Sequence, residues 1–362
     1  MTVCYFGAYD RSHARNQVLI KGLRKNGVEV VECHNEHPLK PLRLPLLAAQ
    51  YVFHARHADI IVVGACGHTY VPLAKTLAKM TGKPVVFDAF VSQYDTVVMD
   101  RKDIQEGSWR AKYFYALDKV STSLADLVLM DTDQHVEYYC QAVGSPKAKF
   151  RRILVGADTD LFYPRPPKEQ RKGFLVTFIG TFIPLQGVPY IIEAAHYLEQ
   201  HADIRFELIG SGQTYPEAKR LARDLKVKNL SFVDPLPTEE VPEKLAAADV
   251  CLGIFGDTEK TKRVIPSKVY IAMAMGKPVI TGDTPAARWL LTHREHAFLV
   301  PVADSKALAN AVIELMENRQ LRERLSHNGR QTFLAVATPE ILGGELAILC
   351  QELVGRWEVE RR

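Results

Sequence analysis

Phe178-Ile179-Gly180-Thr181-Phe182-Ile183-Pro184-Leu185-Gln186-Gly187-Val188-Pro189-Tyr190-Ile191-Ile192 reads as a strand, a loop holding two glycines, and a helix. Such a loop lets backbone N–H groups and the helix start receive a phosphate, although an ordinary βα turn also uses glycine for its tightness. The next strand ends the same way, at Ile209-Gly210-Ser211-Gly212. Two glycine turns after successive strands of one sheet favour a ligand, because close backbone approach is then needed twice on one face.

Outward from this unit, short β-branched runs alternate with helical periodicity along almost the whole chain, the pattern of βαβ units and parallel sheets. In the first half strands are expected near Val3 to Phe6, Val28 to Cys33, Ile60 to Val63, Val85 to Asp88, Leu127 to Met130 and Ile153 to Val155. The first helix, Arg15 to Lys25, carries Val18, Leu19 and Leu23 on one side and stops at Asn26-Gly27. A proline-rich charged stretch from Tyr163 to Gly173 then interrupts both periodicities and is the expected linker. Alternation restarts with strands near Leu175 to Ile179, Ile204 to Ile209, Leu230 to Val233, Val250 to Ile254, Pro278 to Thr281 and Phe298 to Val300. Helical segments from Ser305 to Phe333 and from Pro339 to Trp357 close the pattern. The expectation is an α/β chain of two doubly wound Rossmann-like domains, residues 1–165 joined by a helix at about 339–362, and residues 166–338. Their strand ends would face each other across a cleft.

A chain of 362 residues with 47% hydrophobic content has material for two cores. Its 46 basic and 42 acidic residues leave a net charge of +4, too small to indicate nucleic acid as a partner. The six cysteines are scattered without a C-x-x-C pair, which suits reduced, buried thiols. With no basic leader and no run of 18 uncharged apolar residues, a cytoplasmic location is expected.

The stretch from Phe255 to Ile280 places Lys260, Lys262, Arg263 and Lys268 around a loop, then Pro266 at a helix start, an apolar helix, Gly276, and a buried strand. Lys260 and Lys262 also fit a solvated face. Arg263 and Lys268 flank a helix N-terminus, where a diphosphate would meet charge, dipole and free N–H groups together.

On these stretches, with Phe206 to Gly212, Leu230 to Pro235, Ala246 to Val250 and Leu299-Val300-Pro301, the second half resembles the donor-binding domain of the family 4 retaining glycosyltransferases. The first half is similar more weakly, at Gly7, at Phe87-Asp88-Ala89-Phe90 and at Val155-Gly156-Ala157-Asp158. Ile271 stands where the second glutamate of the family's E-x7-E pair belongs, Gln186 where it usually has a phosphate-binding lysine, and Thr181-Phe182 where arginine is frequent. The resemblance implies a GT-B fold and transfer of a sugar, with retention, from a nucleotide-diphosphate sugar to a glycan or lipid-linked acceptor, with no metal and no cofactor. Donor contacts would come from Gly7, Gly180, Thr181, Gln186, Gly187, Gly210, Gly212, Arg263 and Lys268. Arg263 and Lys268 would also meet charge growing on the leaving group. Asp88, at a strand's carboxyl end, and Asp95 in the following loop would position the acceptor or the sugar hydroxyls, unless Asp88 only caps its turn. The missing glutamates also admit a catalytically silent GT-B protein that scaffolds a glycan pathway.

The His34/His37 and His54/His57 pairs lack the further ligands a metal would need. Residues 38–58 carry Lys40, Arg43 and Arg56 and no acid, and are expected to expose Leu42, Leu44, Leu46, Leu47, Tyr51 and Phe53. Such a segment suits a membrane interface, or a core-facing helix of the first domain.

Overall fold

The β-branched runs form parallel strands whose side chains are mostly buried on both faces, as in sheets covered by helices on each side. The computed structural model describes residues 1–168 and 172–361. Glu169, Gln170 and Arg171 of the expected linker lie outside the described residues.

Unit 1 comprises Met1–Gly156 and Thr338–Arg362. Its strands are β1 (Thr2–Gly7), β2 (Glu29–His34), β3 (Ile60–Val63), β4 (Val85–Phe90), β5 (Leu127–Met130) and β6 (Phe150–Arg152), in the order β2-β1-β3-β4-β5-β6. Helices α1 (Ala14–Lys25), α2 (Lys40–Gln50), α3 (Val71–Thr81), α4 (Trp109–Leu124) and α5 (Asp133–Val143) connect them. On one face Phe6, Val63 and Phe87 pack against Leu47, Ala74 and Tyr139 of the helical layer. Tyr5, on the opposite side of the pleat, reaches α1, where its hydroxyl donates to Asn16 Oδ1 at 2.9 Å.

Unit 2 is Ala157–Ala337. Strands β7 (Phe174–Ile179), β8 (Ile204–Ile209), β9 (Leu230–Val233), β10 (Val250–Leu252), β11 (Val279–Gly282) and β12 (Phe298–Val300) take the order β12-β11-β10-β7-β8-β9. The helices are α6 (Val188–Tyr197), α7 (Tyr215–Asp224), α8 (Val241–Ala247), α9 (Ser267–Ala274), α10 (Pro285–Leu290), α11 (Ser305–Glu317) and α12 (Arg319–Val336). The division falls at Gly156, ahead of the expected boundary at 165, because the intervening segment bonds to unit 2. Ala157 N donates to Ala337 O, Phe162 is buried, and Lys168 N donates to Glu243 Oε1. Asn318 splits the long C-terminal helical segment, closing α11 and accepting from Leu321 N to cap α12.

Ile153 to Val155 do not form the expected strand. Strand β6 ends at Arg152, and after one more bond, Ile153 N to Met130 O, the chain leaves the sheet. The carbonyls of Ile153 and Leu154 instead accept from Arg15 Nη1 at 2.6 and 3.2 Å. Arg15 Nε donates to both oxygens of Asp88, at 2.9 and 2.7 Å, and both side chains are wholly buried. Burial pushes the Asp88 carboxyl up, and the Arg15 guanidinium only partly pulls it back. Asp88 is therefore neither a turn cap nor a group open to substrate; it ties β4 to α1 and to the end of β6.

The segment 38–58 also departs from expectation. Leu47 and Tyr51 are buried, whereas Leu42, Leu44, Leu46 and Phe53 stay exposed. Helix α2 continues into a wider π turn at Tyr51–Ala55.

Helix α13 (Pro339–Arg361) returns to unit 1 and crosses α1 where glycine faces glycine. A Cβ on Gly22 would lie 2.0 Å from Pro339 O, and one on Gly343 would lie 2.0 Å from the carbonyl carbon of Gly22. The Arg319–Val359 stretch contains one 18-residue window, mean hydropathy 1.6, that is apolar and long enough to cross a membrane, and half of that window is buried in the fold. Leu342, Leu346, Cys350 and Leu353 supply buried apolar contacts along α13.

Asp88→Ala is expected to lower unfolding free energy by roughly 3–5 kcal/mol in urea titration, since it strands a buried guanidinium. Gly22→Ala should cost about 3 kcal/mol or more by the same measurement, because both contacting atoms are backbone. A loss below about 0.5 kcal/mol in either variant would contradict the packing described.

Candidate functional site

In an open parallel sheet, the crevice that accepts a ligand lies beyond the strands' carboxyl ends, where successive connections run in opposite directions. In unit 2 that point lies between β7 and β10, since the order runs outward from β7 through β8 and β9, and from β10 through β11 and β12. The loops after β7 and β10, with helix α9, therefore form the candidate site.

These loops are locked by main-chain bonds. Gly180 N donates to Ile209 O and Phe182 N to Ser211 O, joining the loop after β7 to the loop after β8. Phe255 N donates to Gln186 O and Gly256 N to Leu185 O, joining it to the loop after β10. Such contact leaves no room for side chains. A Cβ on Gly210 would sit 2.0 Å from Gly180 O, and one on Gly187 would sit 2.3 Å from Gly256 N. Gly210, Gly212 and Gly187 thus have a packing reason for being glycine, whatever approaches the loops from outside.

Lys268 occupies the middle of this arrangement. It lies in the first turn of α9, after Pro266 has set the helix start, and its side chain is buried. The ammonium stands 3.7 Å from the centroid of the Phe178 ring and donates to Gln186 Oε1. It also lies against Gly180, whose missing side chain makes space: a Cβ there would be 2.6 Å from Nζ. Gly180, at φ 156°, holds a conformation a side chain would strain. Among the described residues no carboxylate pairs with Lys268, and burial pushes its pKa well below the ordinary lysine range. Among the described residues the hydrogen-bonding partner of this buried cation is a neutral amide, so its charge is left without a counter-charge.

The other cations of the loop are placed differently. Thr258 caps the turn Glu259–Arg263 by accepting from Thr261 N. Lys262 pairs with Glu259 at 2.5 Å on the surface, whereas Lys260 is buried, against the reading of both as a solvated face. Arg263 is half-buried and near enough to Glu259 to help hold its carboxyl below the usual range, after the hydrogen bond from Lys262. Thr181 is exposed beside Gly212, and Ile271 is partly exposed on α9. Unit 2 thus brings Gly180, Gln186 and Lys268 into direct contact.

Gly7, Asp88 and Asp95 belong to unit 1. Gly7 ends β1 at φ 132°, beneath the Tyr70 ring. Asp95 is buried in the π turn Asp95–Asp100 rather than open in a loop. Near these strand ends the chain buries polar groups that the linear pattern does not single out. Asp118 accepts from Ser92 Oγ at 2.6 Å, from Gln93 N and Tyr94 N at 3.0 Å, and from Tyr139, and lies 3.2 Å from His68 Nε2. Burial pushes its carboxyl up, but His68 and these donors hold it below the usual range. Asp131 and His135 pair within α5's first turn and its approach, 2.5 Å apart. Arg15 alone had a legible signal: it precedes Val18, Leu19 and Gly22 at helical spacing and so falls on the buried stripe of α1. Among the described residues no group of three or more His, Cys, Asp or Glu side chains is placed to hold a metal ion.

Comparison with known proteins places these features. Residues 162–332 match the family model of Glycosyl transferases group 1. Alpha-D-kanosaminyltransferase of Streptomyces kanamyceticus is 22% identical over 300 residues, covering 76% of this chain and 72% of that protein. The GDP-mannose-dependent alpha-(1-6)-phosphatidylinositol monomannoside mannosyltransferase of Mycobacterium tuberculosis is 26% identical over 218 residues, 56% of each chain. Among solved structures, HepE of Anabaena in complex with UDP superposes with a TM-score of 0.73 at 16% identity, covering 97% of this chain and 100% of that one. Residues 162–332 are thus similar to a glycosyltransferase group 1 domain, set in a chain whose two-domain α/β fold is of the GT-B type.

Proposed function

We propose that the protein is a retaining glycosyltransferase that moves a sugar from a nucleotide-diphosphate sugar to a glycan or lipid-linked acceptor, using neither metal nor cofactor. The observation that carries this reading is the buried Lys268 ammonium, held by a neutral amide at the switch point of the group 1 domain. A diphosphate there would meet a cation already stripped of water, so its charge acts at low effective dielectric. As the glycosidic bond of the donor breaks, negative charge grows on the departing diphosphate, and Lys268 and Arg263 stabilise it where it forms. The departing phosphate oxygen takes the acceptor's proton. Gln186 orients Lys268 by accepting one of its three protons and leaves the other two for the ligand. UDP in the HepE complex supports a nucleoside diphosphate as the leaving group. A relative whose name specifies a phosphatidylinositol monomannoside supports a lipid-linked acceptor, which agrees with peripheral membrane contact through residues 38–58 on a cytoplasmic protein.

The alternative, a catalytically silent binding protein, rests on Ile271 and Gln186, where the resembled family has glutamate and lysine. The geometry supports Gln186 as a working partner of Lys268 rather than a loss, because a lysine at 186 would set two ammonium groups side by side.

Nucleoside diphosphates are expected to raise Tm in a concentration-dependent way, as mass action requires, with GDP and UDP the first to screen. Absence of any shift with every nucleoside diphosphate and nucleotide sugar would remove the enzyme reading. Lys268→Met should weaken diphosphate binding about tenfold to a hundredfold by calorimetry, and Gln186→Glu about tenfold by supplying an internal counter-charge. In the unfolded chain Lys268 titrates at about 10.4, and its folded value lies below that, so charging it in the fold costs stability as pH falls beneath the unfolded value. A bound diphosphate favours the ammonium and restores the higher pKa. Binding should therefore take up a proton and weaken as pH rises above the depressed value of the free protein, and Lys268→Met should abolish that dependence.

A further inference from the structure

Helices α2, α3 and α4 lie side by side on one face of unit 1, α3 between the other two. Residues 38–58, 71–81 and 109–124, which form this layer, contain one carboxylate, Asp118, and it is buried. Six cations are exposed on the same segments: Lys40, Arg56, Lys79, Arg110, Lys112 and Lys119. In a chain with nearly equal numbers of acids and bases, this is a local segregation of charge. The next helix, α5, carries the acids Asp133 and Glu137 and no lysine or arginine, and the α13 side carries Glu340, Glu352 and Glu358. Exposed carboxylates border the layer: Asp103 and Glu106 in the loop before α4, and Glu358, which lines a pocket with Thr81 at the end of α3.

Large apolar groups lie among these cations. Phe53 and Trp109 are each 78% exposed and Met80 76%, with Leu39, Leu42 and Tyr113 also in solvent. Helix α2 buries Leu47 yet turns Leu42 and Leu46 outward, so its apolar residues are divided between the core and the surface. Aromatic rings beside lysine and arginine, without acids, match the chemistry of a lipid headgroup layer, where rings sit at the interface and cations meet phosphates. A protein partner fits less well, since interface cores are depleted in lysine.

We infer that the face formed by α2, α3 and α4 seats on an anionic bilayer, with Phe53 and Trp109 entering the interface and the six cations over lipid phosphates. The inference rests on the peripheral-membrane reading of residues 38–58, and extends it to α3 and α4 and to the charge of the lipid. It places unit 1 as the unit that meets a lipid-linked acceptor.

The test uses the full chain with vesicles of phosphatidylcholine alone or mixed with phosphatidylglycerol, read by co-sedimentation and tryptophan fluorescence. Binding is expected only with the anionic mixture, weakening with salt, with a blue shift that Trp109→Ser removes and Trp289→Phe retains. Replacing Arg110, Lys112 and Lys119 together by serine should lower partitioning on the order of a hundredfold, at about one decade or less per cation. The same variants should keep the wild-type Tm and its shift with nucleoside diphosphate, so failure of this inference is separable from failure of the donor site. Equal sedimentation with both vesicle types, no sedimentation at all, or wild-type partitioning by the triple variant would overturn it. So would a lipid-free dimer that Trp109→Ser dissolves, which would assign the face to a second copy of the chain.

Discussion

The candidate site of unit 2 depends on backbone meeting backbone. Three loops leave neighbouring strands and bond to each other through main-chain groups at Gly180, Phe182, Phe255 and Gly256. No side chain intervenes, so their spacing is set by hydrogen-bond length rather than by rotamers. Lys268 can be buried because that spacing is fixed: the ring of Phe178 lies on one side, Gly180 leaves a gap, and Gln186 supplies the one neutral acceptor. A looser arrangement would admit water and return the ammonium to its ordinary state. The rigidity of the loops and the perturbed charge are thus one feature seen at two scales.

Unit 1 spends its buried charge differently. Arg15 and Asp88 satisfy one another and two carbonyls at the end of β6, and Asp118 gathers donors from a loop and two helices. These groups lie near the strands' carboxyl ends, where chemistry is usually sought, yet each has its partners inside the unit. The Asp88 carboxylate has both oxygens on a buried guanidinium, whereas Lys268 has a neutral amide and, among the described residues, no carboxylate beside it. That distinction separates Asp88 from Lys268.

It also sets what could be read beforehand. Strands such as Ile204–Ile209 and Phe298–Val300 were legible because an apolar run bounded by turn residues has few other uses in a βαβ chain. Strand β6 was misplaced because Ile153 to Val155 are more apolar than Phe150 to Arg152, and burial without pairing looks the same in sequence as a strand. The basic loop was legible as a cluster, but not which cation it would bury. Lys262 faces a glutamate at i−3, which spacing predicts, whereas the Lys268–Gln186 contact joins residues far apart in the chain. Asp88 was misassigned for the same reason, its partner being Arg15 on another helix. Leu47 and Leu46 are neighbours of equal hydrophobicity, and only the packed sheet decides which turns inward.

Helix α13 carries one further consequence, which concerns time rather than space. Its glycine contact with α1 belongs to unit 1, but unit 2 is encoded between them. On the ribosome, the surface of α1 around Gly22 is made early and covered late, after every strand of unit 2 has emerged. Until then unit 1 has its sheet and its first helices but lacks one wall. Unit 2, continuous from Ala157 to Ala337, waits for no later segment. Unit 2 can therefore complete its fold first, and the unit that precedes it in sequence finishes last.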